Sequence, residues 1–219
     1  EFCLNAFGLK PLDYLESVDW LNERVWLAHG IHFDPDEIER LGSNRVGICH
    51  CPSSNMILAS GSCPVPALEA AGSPVGLCVD GSASNDGSNM MQELRAAFLL
   101  QRLHHGAELI THTSALRWGT QGSARCLGRS DIGEIAIGKQ ADLALFKLDE
   151  LRFSGAGDPL AALILCGAHR ADYVMVAGAW RLQQGQVPGV DLERLKAQHR
   201  QAARRRHRTR CPRPSRQIG

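Results

Sequence analysis

Three short apolar runs recur in the first eighty residues: Val25-Trp26-Leu27-Ala28-His29, Val46-Gly47-Ile48-Cys49-His50 and Val75-Gly76-Leu77-Cys78-Val79-Asp80. Each is nearly free of charge, too short for an independent helix, and followed by a loop and then a helical pattern. Buried parallel strands in repeated βα units read this way. The pattern predicts adjacent parallel strands over residues 25–29, 45–49 and 74–80, with His29, His50 and Asp80 near their C-terminal ends. In a (β/α)8 barrel those ends converge on one face, so groups distant in sequence would meet there.

The intervening periodicity supplies the helices. Apolar residues at helical spacing follow Pro11 through residue 24, and Asp34-Pro35-Asp36-Glu37 reads as an N-cap, a first-turn proline and first-turn acids, with Gly42 as the stop. Further helices are expected over residues 65–71 before Gly72, 89–103, and 113–127 before Gly128. The character then changes. Residues 132–146 read as two short strands around a Gly138-Lys139 turn, and residues 174–182 as a hairpin turning at Gly178, so that 131–147 and 173–187 should share one small β-unit. The expected organisation is α/β: residues 1–130 as the C-terminal part of a barrel, about its last three βα units; 131–190 as strands of a small β-sandwich; and 191–219 as a poorly ordered basic tail.

Composition narrows the class. With 219 residues, 44% hydrophobic and 21% charged, the chain can bury a sizeable core. No stretch approaches the roughly 20 apolar residues of a membrane span, and the first residues lack a signal-peptide pattern, so a cytoplasmic protein without a membrane partner is expected. The eight cysteines are scattered, several inside apolar runs, which argues against a disulfide framework. From Arg194 onward the chain carries ten Lys and Arg and no acid, against a net charge of +1 for the whole. Such an arm could contact nucleic acid or a membrane surface, but its lack of periodicity favours a frayed terminus, and nucleic acid is not the expected partner. Three βα units leave both sheet edges bare. A piece of a longer enzyme is therefore expected over a complete small protein with an open three-stranded sheet.

Asp80 is the strongest single candidate for chemistry, because a carboxylate closing an apolar strand is costly unless it meets a metal, a cation or backbone donors. Its plainer role would be to cap the Gly-Ser-rich loop that follows. His29 could equally be a satisfied core histidine, but it recurs at the same topological point. Cys49-His50-Cys51 lacks the second paired cluster of a structural zinc site and reads as a packed strand end. Asn55, on the following loop, is the better candidate for a polar contact with substrate.

Ala28-His29-Gly30-Ile31-His32, His50-Cys51-Pro52-Ser53-Ser54-Asn55, Val79-Asp80-Gly81-Ser82-Ala83-Ser84-Asn85-Asp86, and Gly133-Glu134-Ile135 with Gly138-Lys139-Gln140-Ala141-Asp142-Leu143 together resemble the successive late motifs of the amidohydrolase superfamily. The similarity spans roughly residues 1–190 and falls in the branch of chlorohydrolases and guanine deaminase-like enzymes, nearest the 8-oxoguanine deaminase and hydroxyatrazine ethylaminohydrolase families. The resemblance implies a distorted (β/α)8 barrel with a β-sandwich built from both chain ends, and one divalent metal, usually zinc. It implies that Asp80 is a metal ligand and proton shuttle, and that His29 contacts substrate or the attacking hydroxide; His29, Asn55 and Ser82 are the expected substrate contacts. The family's His-x-His pair, its further metal-binding histidine and the glutamate three residues beyond are absent here, so the other ligands would lie outside this chain. Gly30 stands where a cysteine is common.

The implied reaction is hydrolytic deamination of a small heterocyclic substrate by a homo-oligomeric parent enzyme. Removal of chloride or an alkylamine from a triazine uses the same constellation and stays open as an alternative. A nonfunctional partial product and a basic-tailed binding module are the rivals from other classes.

Overall fold

The computed structural model describes residues 1–210, with side chains to residue 206. The chain opens with α1 (Phe2–Phe7) and α2 (Pro11–Ser17), the latter started by Pro11 and anchored by the buried Leu12. The helix expected through residue 24 ends at Ser17. Asp19 takes a left-handed φ of 59°, and the Asn22 side chain bonds the Asp19 carbonyl and the Arg24 amide, a local turn that competes with helix.

Strand β1 (Trp26–Ala28) leads to α3 (Pro35–Ser43), whose N-terminus is closed by a reciprocal capping box between Asp34 and Glu37. Gly42 lies inside this helix and is not its stop. A Cβ there would sit 2.1 Å from the Ala71 carbonyl oxygen, so glycine is what lets α3 pack against the helix containing Ala71. Gly42→Ala should accordingly cost at least about 2 kcal/mol by urea denaturation, although alanine gains about 1 kcal/mol in helix propensity. An unchanged midpoint would disprove the close approach.

Strand β2 (Gly47–His50) is buried throughout, and is followed by α4 (Pro52–Ile57), α5 (Val65–Ala71) with a left-handed Gly72 cap, and β3 (Val75–Leu77). The three strands form one parallel sheet in the order β1-β2-β3, with Ala28 opposite Cys49 and His50 opposite Leu77. The third strand ends three residues before Asp80. Among the described residues neither β1 nor β3 has a second neighbour.

Helix α6 (Met90–His105) is capped by the Asn89 side chain, and α7 (His112–Arg117) runs through a π-helical turn (Trp118–Gly122) into α8 (Ser123–Cys126). The π turn interrupts what the sequence presents as one helix. It lies hard against β3, where a Cβ on Gly122 would meet the Val75 carbonyl oxygen at 2.0 Å. Leu41, Val46, Ile48, Leu68, Val75, Leu77, Leu94, Phe98 and Trp118 fill the core between sheet and helices.

The second sheet holds β4 (Leu143–Leu145), β5 (Tyr173–Val176) and β6 (Ala179–Leu182), all antiparallel, with α9 (Pro159–Leu165) between β4 and β5. The segments expected to share a β-unit therefore do so through these strands. The extra strand anticipated over residues 132–137 is absent: the segment is irregular, with Ile135 and Ile137 exposed. Helix α9 is tied to the first unit by His112 on Asp158 (3.0 Å), and Asn89 nearby bonds the His169 carbonyl (2.8 Å).

The basic segment forms α10 (Leu192–Arg210) in place of the irregular arm expected. Its Leu, Lys, Ala, Gln and Arg content favours helix, and the Asp191 side chain caps it through the Arg194 amide. The rest of the tail, residues 211–219, lies outside the described residues. The seven described cysteines are free thiols, and no helix among the described residues is long and apolar enough to cross a membrane.

Candidate active site

Because the three strands run parallel, their C-terminal ends open on one side, and the residues that follow them project there. His29 follows β1 at φ 69°, and Asp80 follows the β3 segment at φ 61°. Left-handed backbone at a histidine and an aspartate costs on the order of 1 kcal/mol each, and such strain clusters where geometry serves function. Both turn sharply off the sheet, bringing His29 Nε2 within 3.7 Å of Asp80 Oδ2, with about a third of each side chain open to solvent.

Two consecutive residues of α4, the helix that follows the central strand, hold this pair. Asn55 Oδ1 lies 2.8 Å from His29 Nδ1 and accepts from its N–H, which leaves Nε2 turned toward Asp80. Ser54 Oγ donates to Asp80 Oδ2 at 2.6 Å and lies 2.8 Å from Ser84 Oγ, while the Gly81 amide donates to Asp80 Oδ1 at 2.7 Å. The Ser54 hydroxyl first, and the Gly81 amide second, hold the Asp80 carboxyl below the ordinary carboxylate range. The Ser53 amide donates to the buried Glu93. The Asp80 carboxylate thus stays ionised, with Oδ2 toward His29.

Other expected members fall elsewhere. Asn55 is only 1% exposed and supports His29 from beneath, in place of the open position expected of a substrate contact. Ser82 is exposed on the loop after Asp80. His50 does not join the open rim: it is wholly buried, with Nε2 3.3 Å from Gln101 Nε2 and Nδ1 without a partner. Desolvation, then the charge of His29, push its pKa down to about 4 from 6.5. The unfolded chain therefore takes up this proton first. Its contribution is full above pH 6.5 and is lost as pH falls toward 4, by about 3 kcal/mol at most. Denaturation at pH 7 and pH 4.5 should show a steeper loss in the wild-type chain than in His50→Gln; parallel losses would refute this assignment.

Burial pushes the Cys51 thiol up to about 12, and a hydrogen bond with Cys126 raises Cys49, so neither supplies a ready thiolate ligand. Among the described residues no group of three His, Cys, Asp or Glu side chains could hold a metal ion. Ser54, Ser84 and Glu93 were not singled out from the sequence. The polar Ser-Ser-Asn run and the serine four residues after Asp80 were the available signals, but nothing in their spacing showed which carboxylate they would meet.

Residues 1–181 match the model of the amidohydrolase family. The chain is 68% identical over 203 residues to an 8-oxoguanine deaminase of Pseudomonas aeruginosa, covering 93% of this chain and 45% of that protein. It is 36% identical over 190 residues to a hydroxydechloroatrazine ethylaminohydrolase of Pseudomonas sp. strain ADP, covering 84% of this chain and 40% of the other. Among solved structures, an adenosine deaminase from Xanthomonas campestris with bound zinc superposes with a TM-score of 0.88 at 35% identity, over 94% of this chain and 48% of that one. The chain spans less than half the length of each of these relatives.

Proposed function

We propose, from a chain that belongs to the amidohydrolase family, that it is the C-terminal part of an enzyme that hydrolytically deaminates an aminated heterocycle of the 8-oxoguanine or guanine kind. The observation that bears most weight is the His29–Asp80 pair, facing across 3.7 Å at one end of a parallel sheet and held by separate hydrogen bonds. The open edges of that sheet suit three of eight βα units, with five supplied by preceding sequence. Residues 1–130 are then barrel and 131–190 sandwich.

A divalent metal, zinc in the structural relative described above, fits this site in part. Asp80 offers one partly open carboxylate oxygen environment and His29 an outward Nε2, whereas a catalytic zinc wants about three protein ligands, so further ligands must come from beyond these residues. When bound, the metal would lower the pKa of water toward neutrality.

Asp80 accepts the proton that the attacking water loses as its oxygen adds to the ring carbon bearing the amine. It then returns that proton to the amine nitrogen as the C–N bond breaks and ammonia leaves. His29, fixed by Asn55, presents Nε2 to the same oxygen and orients it. Ser54 and Gly81 keep Asp80 in one rotamer throughout. Ser82, exposed on the loop after Asp80, is a further substrate contact in this reading. Product release by the full-length parent tests the reading: ammonia from 8-oxoguanine and guanine, alkylamine from N-alkylated hydroxytriazines, and chloride from chlorotriazines. The highest kcat/KM is expected on the oxidised purine; preference for a triazine would transfer the assignment to the alkylamine- or chloride-removing enzymes, and no release from any would refute it.

A further inference from the structure

Glu93 lies on α6 and is 1% exposed, yet it is not among the groups that face the open end of the sheet. A carboxylate is costly to bury unless donors meet it, and here both oxygens are met. Oε2 accepts the Ser53 backbone N–H at 3.2 Å, and Oε1 accepts Asn85 Nδ2 at 2.7 Å. The two donors belong to different elements, one to α4 and one to the loop after Asp80. Ser53 sits in the first turn of α4, where its amide has no helical partner, immediately before Ser54 and Asn55. Asn85 sits in the loop that begins at Asp80, is itself 5% exposed, and also donates to the Val79 carbonyl at 2.8 Å, one residue before Asp80.

We propose that Glu93 is a positioning residue: it clamps the start of α4, which follows β2, to the loop after β3, and thereby sets the spacing between His29 and Asp80. The proposal rests on the reaction assigned above. Helix α6 is the rigid base, because its Leu94, Ala97 and Phe98 are packed in the core. A shift at the Ser53 amide moves Ser54, which bonds Asp80, and Asn55, which bonds His29; a shift at Asn85 moves the backbone entering Asp80. The chemistry of the clamp specifies the residue type. Two donors converge on two acceptor oxygens, and glutamine, equal in size, offers only one acceptor and sets an NH2 against a donor.

The test uses the full-length parent with Glu93→Gln, Asn85→Ala and the double variant, each compared for kcat, KM, bound metal, melting temperature and crystal structure. Glu93→Gln should lower kcat about 10- to 100-fold per folded enzyme, with KM changed by less than about threefold and metal content kept. Its His29 Nε2 to Asp80 Oδ2 separation should differ from 3.7 Å. Asn85→Ala should act in the same direction, and the double variant should be no worse than the poorer single one, because a clamp released at either oxygen no longer couples the two elements. Lowered melting with unchanged kcat, additive losses, or an unmoved His29–Asp80 pair would each overturn the clamp. Should the wild-type parent prove inactive on every heterocycle tried, the reaction assignment fails, and the measured separation in the variants still decides the clamp. Should Glu93→Gln not fold, Asn85→Ala alone carries the same comparisons.

Discussion

Asp80→Ala in the full-length parent is expected to lower ammonia release by about 10⁴-fold, with bound metal falling in the same preparation. General acid–base groups contribute about 10²- to 10⁴-fold, and Asp80 is assigned both halves of the proton's path, from water and to the departing amine. Truncation also leaves the Ser54 hydroxyl and the Gly81 amide without their acceptor, so the loop loses its fixed point along with its carboxylate. Asp80→Asn separates these effects. The amide retains the size and an acceptor oxygen but neither the charge nor the proton affinity, so turnover should stay lost while melting temperature is kept. Turnover within about tenfold of wild type in either variant would remove Asp80 from the mechanism.

The 219-residue chain by itself is expected to release no measurable ammonia and to hold zinc only weakly. The reason lies in donor counting. About three protein ligands fix a catalytic zinc and leave one position open, and the described residues nowhere assemble three such groups. Adding the preceding portion of the parent, as one chain or as a co-expressed piece, should restore both metal and turnover. The comparison is made by metal analysis and ammonia assay on the same samples. Robust release from the chain alone would contradict the division of the site between two parts of a longer protein.

The sequence determined a good deal. Uncharged runs ending in His29, His50 and Asp80 marked three parallel strands: β2 and β3 are buried, as continuous apolar sequence implies, whereas β1 leaves Trp26 and Ala28 exposed at the bare edge, and the helices between the strands left no short route to an antiparallel hairpin. The capping box at Asp34 and the caps at Gly72 and Asn89 were equally local, being hydrogen bonds within a few residues of their own helix. Where the reading missed, the deciding contact was distant. Gly42 looks like a stop until Ala71 packs against it, and the run from residue 113 to 127 looks like one helix until β3 presses a π turn into it.

The same boundary divides the site. His29 and Asp80 were legible because strand polarity alone puts their backbones on one side. What tertiary structure decided was the state of each group: His50 neutral and buried beside Gln101, Asn55 spent on His29, Asp80 held ionised by Ser54, and Glu93 bridging α4 and the loop after Asp80. Those outcomes depend on which side chains meet across 8 to 51 residues of intervening chain. Periodicity records which face a residue presents, and only packing decides which donor waits there.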